Sequence, residues 1–214
     1  EEDIFRTNPQ ALEKLTGWVN ARDAGRQPAA MYAMGSLLLA KDDLAGAVKM
    51  AEDGLSKYPQ SLPVQTLSLN TITTLLDKNR VEDAERLISK YPGTSPGLVF
   101  QQGALAFRKG DYPLAQSLFR EAARRASEKT AESALFNENL AALNANDAAG
   151  AAALVKEAAG SAQLREHILF EQAHYAAKRM NPQAPELLAS FVALATDPAL
   201  KTQARLDQAE VALN

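Results

Sequence analysis

A recurrence with a period near 34 residues constrains this chain more than any other feature. A unit that short is one supersecondary motif, and it becomes stable only by stacking on copies of itself. When residues 31–59 are set against residues 99–127, the pairs Gly35/Gly103, Asp43/Asp111, Leu44/Tyr112 and Ala47/Ala115 all fall 68 residues apart, two periods of 34. Ala84 and Ala151 hold the same place in two further copies, so the gaps along Ala47, Ala84, Ala115 and Ala151 are 37, 31 and 36.

Each copy has the same internal grammar. An apolar stretch at helical spacing comes first, as in Met31, Met34 and Leu38 or in Val99, Gly103 and Ala106. A short polar break follows: Lys41-Asp42-Asp43, Lys78-Asn79-Arg80, Lys109-Gly110-Asp111 and Asn144-Ala145-Asn146-Asp147. An aspartate there can cap the next helix by accepting its free backbone N–H groups. A second amphipathic stretch runs through the small alanine to a large apolar residue, as from Ala115 to Phe119, and Tyr58-Pro59 or Tyr91-Pro92-Gly93 closes the unit.

This pattern resembles the tetratricopeptide repeat (TPR) family. Gly35 and Gly103 match that family's small residue in the first helix, and Ala47, Ala84, Ala115 and Ala151 its small residue in the second. Phe119, Ala122 and Pro59 match later packing and closing positions. Met31 and Val99 stand where the family has a large aromatic, while Ile72 and Asn139 replace the usual glycine or alanine. The resemblance implies an all-α fold, a right-handed superhelical solenoid of antiparallel helix pairs. Small residues suit such a pair because two helix axes approach to about 8 Å only where the crossing lacks bulk. The expected layout is an N-terminal capping helix over 1–27, four repeats over 28–160, and a degenerate repeat with C-terminal helices over 161–214 in the same solenoid.

In that family the first helices line a concave groove that commonly binds peptides. Carried over residue by residue, the groove comprises Tyr32, Ser36 and Leu39, then Leu69, Thr73 and Leu76, then Phe100, Ala104, Phe107 and Arg108, and finally Phe136, Leu140, Leu143 and Asn144. Three phenylalanines and several leucines make it largely apolar, with Arg108 its one positive charge, so an apolar or amphipathic protein segment is the expected occupant. The corresponding function is a protein–protein interaction scaffold in a bacterial assembly, secretion or envelope-biogenesis complex. A regulatory or substrate-holding repeat domain of a larger enzyme is the alternative, and self-association through exposed repeat faces is compatible with either.

Composition narrows the field. Hydrophobic residues make up 46% of the chain but aromatics only 6%, and the alanine and leucine behind that figure favour helix. A net charge of −3 argues against a nucleic-acid partner, which calls for a basic excess. One basic cluster (Arg120, Arg124, Arg125, Lys129) reads as a solvated helix face. Cysteine is absent, which removes disulfides, thiolate metal sites and cysteine nucleophiles. No apolar run approaches the roughly 20 residues that cross a bilayer, so no membrane insertion is expected. The start at Glu1 without methionine points to a processed protein or a piece of a longer one, and the periplasmic side of a bacterial envelope is favoured over the cytoplasm.

Outside the repeats, Asn8-Pro9 reads as a cap and first turn for a helix through Leu12, Leu15, Trp18 and Val19, with Trp18 a core or capping contact. Helices are expected near 162–179, 182–196 and 198–213. The last ends in Val211-Ala212-Leu213 without a polar outer face, which suggests further chain or another surface beneath it. His167 and His174, seven apart, are expected to project from one helix face, and Glu171 completes a Glu-x-x-His spacing that binds metal in some bundles. No second such motif exists, so metal, cofactor and catalytic residues are all expected to be none, with the histidines solvated or bonded at a repeat interface.

Overall fold

A computed structural model of the protein describes residues 9–21 and 25–213, and the expected cap at Asn8 lies outside them. The regular structure of the described residues is helical throughout: α1 (Pro9–Asn20), α2 (Gln27–Ala40), α3 (Leu44–Lys57), α4 (Leu62–Asp77), α5 (Val81–Lys90), α6 (Pro96–Arg108), α7 (Tyr112–Arg125), α8 (Glu128–Asn144), α9 (Ala148–Glu157), α10 (Ala162–Lys178), α11 (Ala184–Leu194) and α12 (Pro198–Leu213). The three C-terminal helices begin and end within two residues of the expected bounds. None of these helices is long and apolar enough to cross a membrane.

The breaks between helices explain why the chain turns where it does. Asp42, Asn79, Gly110, Asn146 and Met180 all have positive φ, between 52° and 80°, the left-handed conformation that ends a helix. Their spacings of 37, 31, 36 and 34 extend the repeat to a fifth copy that the sequence pattern left degenerate. Around these residues the chain closes back on the preceding helix. The Asp43 amide donates to the Leu38 carbonyl (2.8 Å), Arg80 to Leu75 (2.7 Å), Asp147 to Ala142 (2.9 Å) and Asn181 to Ala176 (2.9 Å). The expected aspartate caps are present too, since Asp43, Asp111 and Asp147 accept from the amides of Gly46, Leu114 and Gly150 at 2.9, 3.2 and 2.9 Å.

Met180 is the odd member of this series. Asparagine, aspartate and glycine tolerate left-handed backbone, whereas a longer side chain is strained there by about 1 kcal/mol or more. Its side chain is 71% exposed, so little packing offsets that strain. Met180→Gly is therefore expected to raise stability by about 0.5–1 kcal/mol, read as a higher urea midpoint at unchanged slope. An unchanged or lower midpoint would show that side-chain contacts outweigh the backbone effect.

The chain divides into two compact units, Glu1–Gly110 and Asp111–Asn214. In unit 1, α2 packs on α1, α3 and α4, while α4 also meets α6, and α3 meets α5. Its core gathers Val48, Ala51, Leu55, Val64, Leu67, Ile72, Leu75, Leu87 and Leu98. In unit 2, α8 packs on α7, α9 and α10, and α10 on α11 and α12. Ala47, Ala84, Ala115 and Ala151 are all within 4% of full burial, as their small size requires. Within each unit, side-chain bonds join residues about one repeat apart: Arg86 to Glu52 (3.2 Å), Gln172 to Asn139 (2.9 Å), and Arg179 to Asn146 (3.2 Å).

Three expectations change on contact with the tertiary structure. Trp18 is 44% exposed, and Leu15, at 1%, is the α1 residue that enters the core, because α1 turns only one narrow stripe towards α2. The basic cluster is not one solvated face: α7 ends at Arg125, Lys129 lies on α8, and Arg120 reaches the fully buried Glu138. Gly35 is small for a different reason from the one expected. A Cβ built there would overlap the methyl carbons of Leu67 on α4, so the glycine makes room for a leucine of the next first helix.

Candidate functional site

Counting back from each left-handed residue places the expected groove residues in register. Tyr32, Leu69, Phe100 and Phe136 stand ten residues before it, and Ser36, Thr73, Ala104 and Leu140 six before. The fifth copy adds Phe170 and His174 to these columns, which pattern reading missed because Met180 carries no turn signal.

In unit 1 the site is borne by α2, α4 and α6. Tyr32 is 36% exposed, and Ser36, Leu69, Phe100 and Phe107 are half-buried, while Thr73 and Arg108 are exposed. Leu69 leans over Gly97, where an added Cβ would lie 2.9 Å from a leucine methyl carbon. That close approach fixes α6 beside α4. Thr73 Oγ1 donates to the Leu69 carbonyl (3.0 Å) and accepts from Gln101 Nε2 (2.8 Å), so its hydroxyl is held by α6. Arg108 lies 3.9 Å from Asp77, an exposed pair that holds the guanidinium only weakly. Leu76 leaves the expected set, because it is 3% exposed and belongs to the core.

In unit 2 the site is borne by α8 and α10. Phe136, Leu140 and Asn144 are half-buried. Phe136 presents its ring edge-on to His167, with centroids 6.4 Å apart. Together with Lys129, Ser133, Asn137, Gln163 and Leu164 they line a cleft of about 340 Å³. Asn144 donates its side-chain amide back to the Leu140 carbonyl (2.8 Å). One pair further on, α12 covers the column. Phe170 is 7% exposed, stacks on His174 at 5.5 Å and meets Phe191 at 5.6 Å, and His174 Nδ1 lies 2.6 Å from Asp207 Oδ2.

The two histidines thus serve opposite neighbours, His167 towards α8 and His174 towards α12. The partner of His174 is Asp207, 1% exposed, rather than Glu171 of the Glu-x-x-His spacing. Burial pushes the Glu171 carboxyl above its usual range, and the nearby His174 and His167 pull it back down. Among the described residues no three His, Cys, Asp or Glu side chains group as a metal would require. The arrangement is an apolar, partly aromatic surface with a few fixed polar groups.

Comparison with models of protein families, with characterised proteins and with solved structures finds no match in any of the three.

Proposed function

We propose that the chain is a TPR-like solenoid of antiparallel helix pairs that serves as a protein–protein interaction scaffold, taking an apolar or amphipathic segment on the face of its first helices. The observation that carries this reading is an aromatic register position that recurs in both units, each taken by itself. Tyr32, Phe100 and Phe136 recur at one register position, ten residues before a left-handed turn, and each remains at least partly open to solvent. A core position would be closed in every copy, as Ala47, Ala84 and Ala115 are. Bonds linking residues one repeat apart within each unit support the stacking that a solenoid needs.

The experiment is a pull-down from native extract, comparing wild type with a Phe100→Ala/Phe107→Ala/Phe136→Ala variant of unchanged helicity by circular dichroism. A partner held by wild type and lost by the variant is the expected outcome, since aromatic anchors carry a large share of binding energy. Equal recovery would move the working surface away from the first helices.

A further inference from the structure

In unit 1, α3 packs on α5, but between α9 and α11, the matching helices of unit 2, lies a cleft of about 350 Å³. Smaller side chains on α9 account for it. Counted from the buried alanine of each helix, Val48 of α3 corresponds to Ala152 of α9, and Leu87 of α5 to Leu187 of α11. Val48 and Leu87 belong to one core, at 7% and 0% exposure. Ala152 is smaller and exposed, and Leu187, lacking that cover, is 38% exposed. Leu44 of α3 is likewise matched by Ala148, each directly after its capping aspartate. Leu143 and Ala151 complete the apolar walls.

The cleft also carries a positive charge that its counterpart in unit 1 neutralises. Lys78 and Arg179 each precede a left-handed residue, and each reaches back to the left-handed residue of the copy before. For Lys78 that residue is Asp42, whose carboxylate lies 2.7 Å from Nζ. For Arg179 it is Asn146, a neutral amide that accepts from Nη1 at 3.2 Å. The guanidinium also lies over the Tyr175 ring, 4.7 Å from its centroid, so it is positioned without being neutralised. Among the described residues no carboxylate pairs with it. The one carboxylate lining the cleft, Asp147, is already engaged, since Oδ1 accepts from the Gly150 amide and Oδ2 from Gln116.

We propose that the cleft between α9 and α11 binds a small organic acid, its short apolar body against Ala148, Ala152 and Leu187 and its single carboxylate on Arg179. A volume of about 350 Å³ falls within the range of about 300–1,000 Å³ that small-ligand sites occupy. The body supplies the apolar cover that Val48 and Leu44 give in unit 1, and the carboxylate stands where Asp42 does for Lys78. An arginine takes a carboxylate through two parallel N–H···O bonds. With Nη1 on Asn146, the Nε–Nη2 edge remains for that pair. A neutral ligand of the same shape fills the walls and leaves the charge unmatched, so the acid is the preferred form. The cleft shares no residue with the first-helix surface of Tyr32, Phe100 and Phe136, so either site can fail alone.

The test is a backbone-amide NMR titration of the whole chain with 3-phenylpropionate, with its neutral amide, and with the peptide acetyl-Ala-Ala-Phe. Saturable shifts with the acid are expected, confined to residues 146–152 and 179–187. The amide should bind about tenfold more weakly, and Arg179→Gln should weaken the acid by a similar factor. Arg179 is exposed, so that variant should keep its helicity. Ala148→Leu/Ala152→Val gives α9 the side chains of α3 at two exposed positions; it should abolish binding while melting no lower than wild type. Absence of saturable shifts overturns the proposal, as does binding indifferent to Arg179→Gln, to the amide or to the filled cleft. Tighter binding of the peptide than of the free acid also overturns it, because the site would then belong to a protein C-terminus.

Discussion

Leu67→Ala is expected to lower the stability of unit 1 by about 3 kcal/mol, the usual cost of removing three buried carbons and leaving a cavity. Leu67 is fully buried at the centre of the core that α3, α4 and α5 share, so little can collapse into the gap. Its methyl carbons also occupy the space a Cβ at Gly35 would need. Gly35→Ala alone should therefore destabilise by overpacking, by about 1–2 kcal/mol. In the double variant the alanine methyl enters the space that Leu67 leaves. The two effects should then fall short of additive by about 1 kcal/mol, a coupling measurable because the residues touch. Urea unfolding followed at Trp18, the only tryptophan and a residue of unit 1, measures this. Strict additivity would mean that Gly35 is small for some reason other than Leu67.

Arg120→Ala is expected to cost unit 2 about 3–5 kcal/mol at neutral pH, the range for stripping a buried ion of its partner. Glu138 is fully buried, and Arg120, 38% exposed, reaches it from α7 with both Nε (2.7 Å) and a terminal nitrogen (2.5 Å) on Oε1. Oε2 has no partner. Burial pushes the Glu138 carboxyl above its usual value near 4.5, with Glu157 adding to the rise, while Arg120 and then Arg124 oppose it. A carboxyl raised in the fold favours its neutral form, so its contribution is fully present below the unfolded value and is lost as pH rises through the folded one. Without Arg120 that rise grows. The loss in Arg120→Ala should accordingly be small near pH 4 and approach its full size by pH 8. In the double variant Arg120→Ala/Glu138→Met no buried charge is left without a partner, so most of the lost stability should be recovered. Circular dichroism melts across that pH range decide it, and a loss independent of pH would remove the buried charge as its cause.

These two cases mark where local reading stops. Gly35 was visible as a small residue, but its reason lies 32 positions away in Leu67, and no local rule names that leucine. Glu138 sits in a polar run, Asn137-Glu138-Asn139, that reads as solvent-facing. It is buried because α7, α9 and α10 surround α8 on several sides, and a helix enclosed that way buries polar positions along with apolar ones. Asn139, equally buried, has its carbonyl oxygen bonded by Gln172 of α10, while its Nδ2 is left without a partner.

The sequence by itself determined the helices, their breaks and their order. Those depend on contacts within four or five residues: left-handed turns at Asp42, Asn79, Gly110 and Asn146, aspartate caps, and alanine at each crossing. Tyr32, Phe100 and Phe136 entered as expectations only through the resemblance to the repeat family, and their common offset from the left-handed turns emerged with the structure. The tertiary structure alone decided that Met180 makes a fifth such turn against its own propensity, that Leu76 withdraws from the surface, and that Trp18 stays on it. It alone paired Arg120 with Glu138 and His174 with Asp207. Each of these is set by which helix lies across the contact, and burial is a property of that neighbour as much as of the residue itself.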